Sequence, residues 1–135
     1  MTIPKFAGVS HISFSARDAE ACATWWHDVM GFEENARVSG EDWFGIVLLH
    51  APTSTLVEFQ QHASNNAEPF DAMRTGFDHM GFRVTDPSQL SEWEEHFQRL
   101  EVDHTPTVHA DYGSVLTFRD PDKRQYEMFF RPNHP

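Results

Sequence analysis

The sequence predicts an α+β fold of two tandem βαβββ modules, and three observations predict it. The stretch at residues 77–86, FDHMGFRVTD, has an echo at residues 9–18, VSHISFSARD, with His, Phe and Asp at one spacing: His11, Phe14, Asp18 and His79, Phe82, Asp86. Further landmarks recur at nearly the same interval. Trp25 and Trp93 stand 68 positions apart, as do Gly45 and Gly113, while Glu58 and Glu127 stand 69 apart. Between these landmarks both halves show the same succession of periodicities, one strand, one helix and then three strands.

Module one is read over residues 6–61. Residues 9–15 form a strand, with Val9, Ile12 and Phe14 toward a core and His11, Ser13 and Ser15 away from it. Asp18 is placed to N-cap a helix that runs to about Met30, where Gly31 stops it. Trp25 and Trp26 follow the helical spacing and read as core. A weak strand at 33–39, a turn at 39–42, an apolar strand at 43–49, a turn at 51–54 and an alternating strand at 55–60 complete the unit. Residues 62–75, polar and aperiodic with Asn65–Asn66 and Pro69, are expected to be the linker.

Module two is read over residues 76–131. A strand at 77–84 puts His79 opposite Met80, Phe82 and Val84. Asp86 and Pro87 supply an N-cap and a first-turn proline for a helix at 87–100, with Leu90, Trp93, Phe97 and Leu100 on its apolar face. Strands follow at 102–108, 114–118 and 125–130, joined by turns at 111–113 and 119–123. Lys123 and Arg124 occupy a turn position that favours a residue with positive φ, and both read as surface residues.

Composition bounds the function. The chain has 135 residues, one cysteine (Cys22) and a net charge of −11 from 10 Lys+Arg against 21 Asp+Glu. No internal disulfide is possible, which suits a reducing compartment. The acidic balance excludes a phosphate-backbone binder, so no nucleic-acid partner is expected. The opening residues lack a signal pattern and no apolar run is long enough to span a membrane. A cytoplasmic, soluble protein acting on a small molecule is the expectation.

The repeat singles out four polar residues. Glu58 lies between Val57 and Phe59, and Glu127 between Tyr126 and Met128, so each acid interrupts an apolar strand. If the flanking residues pack on the helices, both carboxylates share the face that His11 and His79 occupy. Two imidazoles and two carboxylates suit a divalent cation such as Ni, Zn, Co, Mn or Fe, and the lack of thiolate ligands argues against a purely structural zinc. His11, Glu58, His79 and Glu127 are therefore the candidate metal ligands.

The motifs HISFSARD, WWHDVMGF, LVEFQ, DHMGFRV and FRDPDKRQYEMFF together resemble the vicinal oxygen chelate superfamily, the glyoxalase, bleomycin-resistance and extradiol-dioxygenase group, from about Phe6 to Arg131. The resemblance implies paired modules whose mixed sheets curl around a cup, and frequent assembly as a homodimer. It is nearest by ligand pattern to glyoxalase I, which has His, Glu, His and Glu at these positions. It implies a lyase or isomerase in which a chelated enediolate forms after a carboxylate removes a proton beside a carbonyl, with Glu127 as the base and Glu58 the other candidate. Extradiol dioxygenases and fosfomycin-resistance enzymes use two His and one carboxylate, and bleomycin-binding members lack the ligands. A ring-cleaving Fe or Mn dioxygenase and a non-catalytic drug- or metabolite-binding protein are the competing expectations. Trp43, Phe44, Tyr112 and Phe118 are candidates to line the cup, and Arg37 and Arg83 read as solvated charges.

Overall fold

A computed structural model describes residues 1–135. The chain divides into two compact units, Met1–Glu68 and Pro69–Pro135. Each has the βαβββ order, one helix against one mixed four-stranded sheet. In unit one these are β1 (Ile12–Ser15), α1 (Ala19–Met30), β2 (Glu33–Gly40), β3 (Trp43–His50) and β4 (Thr55–His62), with sheet order β1-β4-β3-β2. In unit two they are β5 (His79–Arg83), α2 (Ser88–Arg99), β6 (Val108–Ala110), β7 (Gly113–Arg119) and β8 (Gln125–Phe130), with order β5-β8-β7-β6. The first strand of each unit pairs parallel to the last, and the remaining pairs are antiparallel.

The ends of α1 carry the chemistry expected of them. Asp18 accepts a hydrogen bond from the Ala21 amide at the start of α1, and Gly31 closes it in the left-handed region at φ 74°. At α2 the Asp86 carboxylate accepts from the Ser88 amide and hydroxyl, while the Gln89 side chain accepts from the Asp86 amide. The helix itself begins at Ser88 with Pro87 at its N-cap position and no side-chain cap, so Asp86 binds one residue ahead of the place expected for it.

Both helices bury one stripe against their own sheet. Cys22, Trp26 and Val29 of α1 pack with Phe14, Ile46, Leu48, Val57 and Phe59, and the Trp26 ring lies 5.0 Å from Phe32 and 5.4 Å from Phe59. Leu90 and Phe97 of α2 meet Phe118, Tyr126 and Met128, with Phe97 and Phe118 rings 4.6 Å apart. Each such side chain contributes roughly 1.5–3 kcal/mol on burial. Helix packing thus consumes one face of each sheet and leaves the polar residues on the other.

Several expectations change. Val9 stands outside β1 and is 91% exposed, and Leu100 lies beyond the end of α2 in solvent. The strand expected at 102–108 is mostly irregular. Pro106 has no amide to give a ladder, so only an isolated bridge from His104 to Phe118 precedes the short β6. Phe118 is buried beneath α2 and lines no open face. Gly45 and Gly113 are not equivalent. Glu58 faces Val47 and Glu127 faces Thr117 across their strand pairs, which aligns Gly45 with Val115 and Gly113 with Trp43.

The closing turn departs most from its expected surface character. Lys123 adopts φ 68° without being glycine, and Arg124 is buried. Its guanidinium donates to Asp120 at 2.6 Å and to Asp122 at 2.8 Å, both buried carboxylates. Asp120 also accepts from the Asp122 and Arg124 amides and from the Tyr126 hydroxyl. Burial pushes the Tyr126 phenol well above its ordinary range, so it stays protonated and donates. Removing the cation leaves two buried carboxylates without compensation. Arg124→Met should therefore destabilise the protein by about 3–5 kcal/mol in urea unfolding, and a loss under about 1 kcal/mol would show the cluster to be hydrated.

Candidate functional site

The parallel strand pairs determine where the candidate ligands stand. In β1/β4 the register partner of Glu58 is Ser13, two residues after His11. In β5/β8 the partner of Glu127 is Gly81, two residues after His79. Residues two apart on a strand share a face, so His79 lies on the same side as Glu127, whereas His11 stands just before the first residue of β1. The helix-facing neighbours Val57, Phe59, Tyr126 and Met128 are all buried, which turns both acids away from the helices.

Unit two brings its pair together. His79 Nε2 lies 3.6 Å from Glu127 Oε2, outside hydrogen-bond reach. Two donors each about 2.1 Å from one cation would be separated by a similar distance. The other ring nitrogen, Nδ1, donates to Asp78 at 2.6 Å, which leaves the Nε2 lone pair facing Glu127 in the neutral ring. Asp78 first, and the Glu127 charge more weakly, hold the His79 pKa above that of a free imidazole. His11 Nδ1 is likewise engaged, by Ser10 at 2.9 Å. In both units the residue just before the histidine orients the ring, a feature that sequence adjacency could have suggested.

Glu58 and Glu127 occupy equivalent positions in unlike surroundings. Glu58 is only 7% exposed, and its buried Oε1 has no hydrogen-bond partner. Gly45 makes room for it, because a methyl group there would overlap that oxygen. A buried carboxylate oxygen without a donor is costly unless a cation or a proton meets it. The orphaned oxygen and the nitrogen–oxygen donor set both fit a divalent metal. No group of three or more His, Cys, Asp or Glu side chains is close enough to hold an ion, and the candidate ligands that come within 4.0 Å of each other are His79 and Glu127. Val115 takes the place of Gly45 in unit two, and the Glu127 side chain remains 24% exposed. It borders a cavity of about 390 Å³ with His79, Gly81, Arg83, Phe129 and His134.

Of the aromatic residues considered for a lining, Tyr112 is exposed and stacks on Phe129 at 6.3 Å. Trp43 and Phe44 are half-buried. Arg37 pairs with Glu20 and Glu34 on the surface beside α1. Asp78 and Ser10 enter the site by contacts with their chain neighbours, and Gly45 by one that only the strand register makes visible.

The two βαβββ units, each with one helix on a mixed four-stranded sheet, define a class of two-module proteins. The Glyoxalase/Bleomycin resistance protein/Dioxygenase superfamily model matches residues 8–128, and the chain belongs to that superfamily. The structure is similar to a glyoxylase/bleomycin resistance protein/dioxygenase domain from Frankia sp. EAN1pec, at 27% identity and TM-score 0.85, covering 93% of this chain and 98% of that one. It also shares its fold with the fosfomycin resistance protein FosX from Mesorhizobium loti, at 19% identity and TM-score 0.68, covering 96% and 94%. A mutant of FosX from Listeria monocytogenes, complexed with Mn(II) and 1S,2S-dihydroxypropylphosphonic acid, matches at 16% identity and TM-score 0.70, covering 96% and 93%. No curated protein matches the chain significantly.

Two measurements test this geometry. In the metal-free protein, Asp78→Asn should lower the His79 titration midpoint seen by NMR, and an unchanged midpoint would remove Asp78 as the cause. Gly45→Ala should leave thermal stability nearly intact, since a flexible carboxylate can swing aside. It should weaken binding of Mn(II) or Zn(II), measured by calorimetry, by about tenfold or more. Wild-type affinity in that variant would show that the Glu58 position is immaterial to the metal.

Proposed function

We propose that the protein is a metal-dependent lyase or isomerase of glyoxalase type in which His11, Glu58, His79 and Glu127 hold one divalent cation. The site would be completed by pairing of module faces, within one chain or between the two copies of a homodimer. The observation that carries the reading is the buried, orphaned Glu58 oxygen in its Gly45 cradle, repeated in register by Glu127 beside His79. The Mn(II) bound by the Listeria relative supports a divalent cation of this kind. When bound, the ion supplies Lewis acidity to two neighbouring substrate oxygens and so acidifies the carbon–hydrogen bond beside the carbonyl.

Within this scheme the two glutamates have different tasks. Glu58 is buried against its own sheet and acts as a ligand only. Glu127 borders the open cavity, and a carboxylate there can take a proton from the substrate and return it to the adjacent carbon. His79, oriented through Asp78, keeps its Nε2 toward that carboxylate.

The reading is tested after reconstitution with Ni, Zn or Mn, using methylglyoxal with glutathione or another small thiol. Glu127→Gln should retain the metal by elemental analysis yet lose about 10²–10⁴-fold in exchange of the substrate proton with solvent. Glu58→Gln should lose metal. Equal and small losses in both variants would rule out the assignment, and a wild-type protein that binds no metal would favour a non-catalytic binding role.

A further inference from the structure

The ligand pairs repeat between the two units, but the residue beyond them does not. On β5 the face that carries His79 continues through Gly81 to Arg83, opposite Glu127 and Phe129 of β8. On β1 the corresponding positions are Ser13 and Ser15, opposite Glu58 and Gln60. Unit two therefore has a cation where unit one has a hydroxyl.

Arg83 is unlike most of its counterparts. Arg37, Arg74, Arg119 and Arg124 each have a carboxylate within 4.0 Å, as expected in a chain with 21 acids. Arg83 lies in the wall of the His79–Glu127 cavity with no ion pair or hydrogen bond to its guanidinium. Between it and His79 stands Gly81, whose missing side chain leaves open space with no atom within 4 Å of where a Cβ would sit. Along a strand, Arg83 is about 6.6 Å beyond Gly81, so its long side chain can reach a group at the far end of a molecule seated over Gly81. Phe129 offers that molecule an apolar neighbour.

We infer that Arg83 is the specificity-determining residue for an anionic group on the substrate, a phosphate, phosphonate or carboxylate a few bonds from the oxygens that meet His79 and Glu127. The inference rests on the metal reading above, because an anion beside an uncompensated Glu127 would be repelled. A planar guanidinium with five donors matches such groups in a bidentate manner. The cavity, at about 390 Å³, accommodates a small molecule of this type.

The test uses the full chain. With Mn(II) bound, water-proton relaxation follows titration with dihydroxyacetone phosphate and with dihydroxyacetone, which share the neighbouring carbonyl and hydroxyl oxygens and differ in the phosphate. The wild type should bind the phosphate ester at least about tenfold more tightly. Arg83→Gln should abolish that preference without changing Mn(II) affinity, and Arg83→Lys should keep part of it. Equal affinities in the wild type, or a preference that survives in Arg83→Gln, overturns the proposal. Failure of the wild type to bind Mn(II) counts against the metal reading instead. The anion subsite is then judged in a metal-free Glu127→Gln background, where the repelling carboxylate is replaced by a neutral amide, by NMR titration with methylphosphonate and with acetate. Shifts on the β5–β8 face that vanish in Arg83→Gln sustain it and identify the preferred anion, and the absence of such shifts overturns it.

Discussion

The parallel pairing of first and last strand in each module is the constraint on which the candidate site depends. A parallel ladder with fixed register allows one alignment of side chains, and a slip by one residue would send His79 and Glu127 to opposite faces. The register that sets Gly81 against Glu127 also sets Ser13 against Glu58. It is maintained by burial. Phe14, Val57 and Phe59 in one module, and Val84, Tyr126 and Met128 in the other, lie against the helix side and leave it only at the cost of their hydrophobic contacts. The polar face is thus specified by its apolar reverse.

Duplication gives two similar frames, and the differences between them set Glu58 and Glu127 in unlike surroundings. A glycine at position 45 lets Glu58 lie buried against its sheet, while Val115 at the equivalent place fills that space and Glu127 stands toward the cavity. In the proposed reading, burial suits a ligand and access suits a base. Arg83 in place of Ser15 adds a direction to an otherwise symmetric arrangement. One repeated strand pair can in this way serve both to hold an ion and to orient a molecule on it.

The strand bearing Glu127 is anchored at its start by a buried ionic cluster. Asp120, Asp122 and Arg124 satisfy one another, and the Tyr126 hydroxyl completes the set one residue before the acid. Such a cluster adds less stability than an apolar core of the same volume, since each charge must first be desolvated. Its geometric demands are stricter. A guanidinium that must meet two carboxylates admits few arrangements of the turn, and Lys123 accepts a positive φ within it.

Much of this was legible in the chain. The alternation around Phe14 and Phe82, the caps at Asp18 and Gly31, and the apolar neighbours of Glu58 and Glu127 are local features, and local periodicity decides which side of a strand or helix meets the core. The strand expected at 102–108 failed because a β-branched composition counts for less than the missing amide of Pro106. Equating Gly45 with Gly113 failed because constant spacing in sequence ignores the loop between strands, which shifts the true register by two. Sequence by itself determined two βαβββ units and the faces of their strands on which Glu58, His79 and Glu127 lie. Only the tertiary structure decided that Glu58 is buried without a donor, that Arg124 is an interior cation and that Arg83 is an unpaired one. Those properties depend on which atoms of distant residues fill the space around a charge, and no period along the chain encodes that.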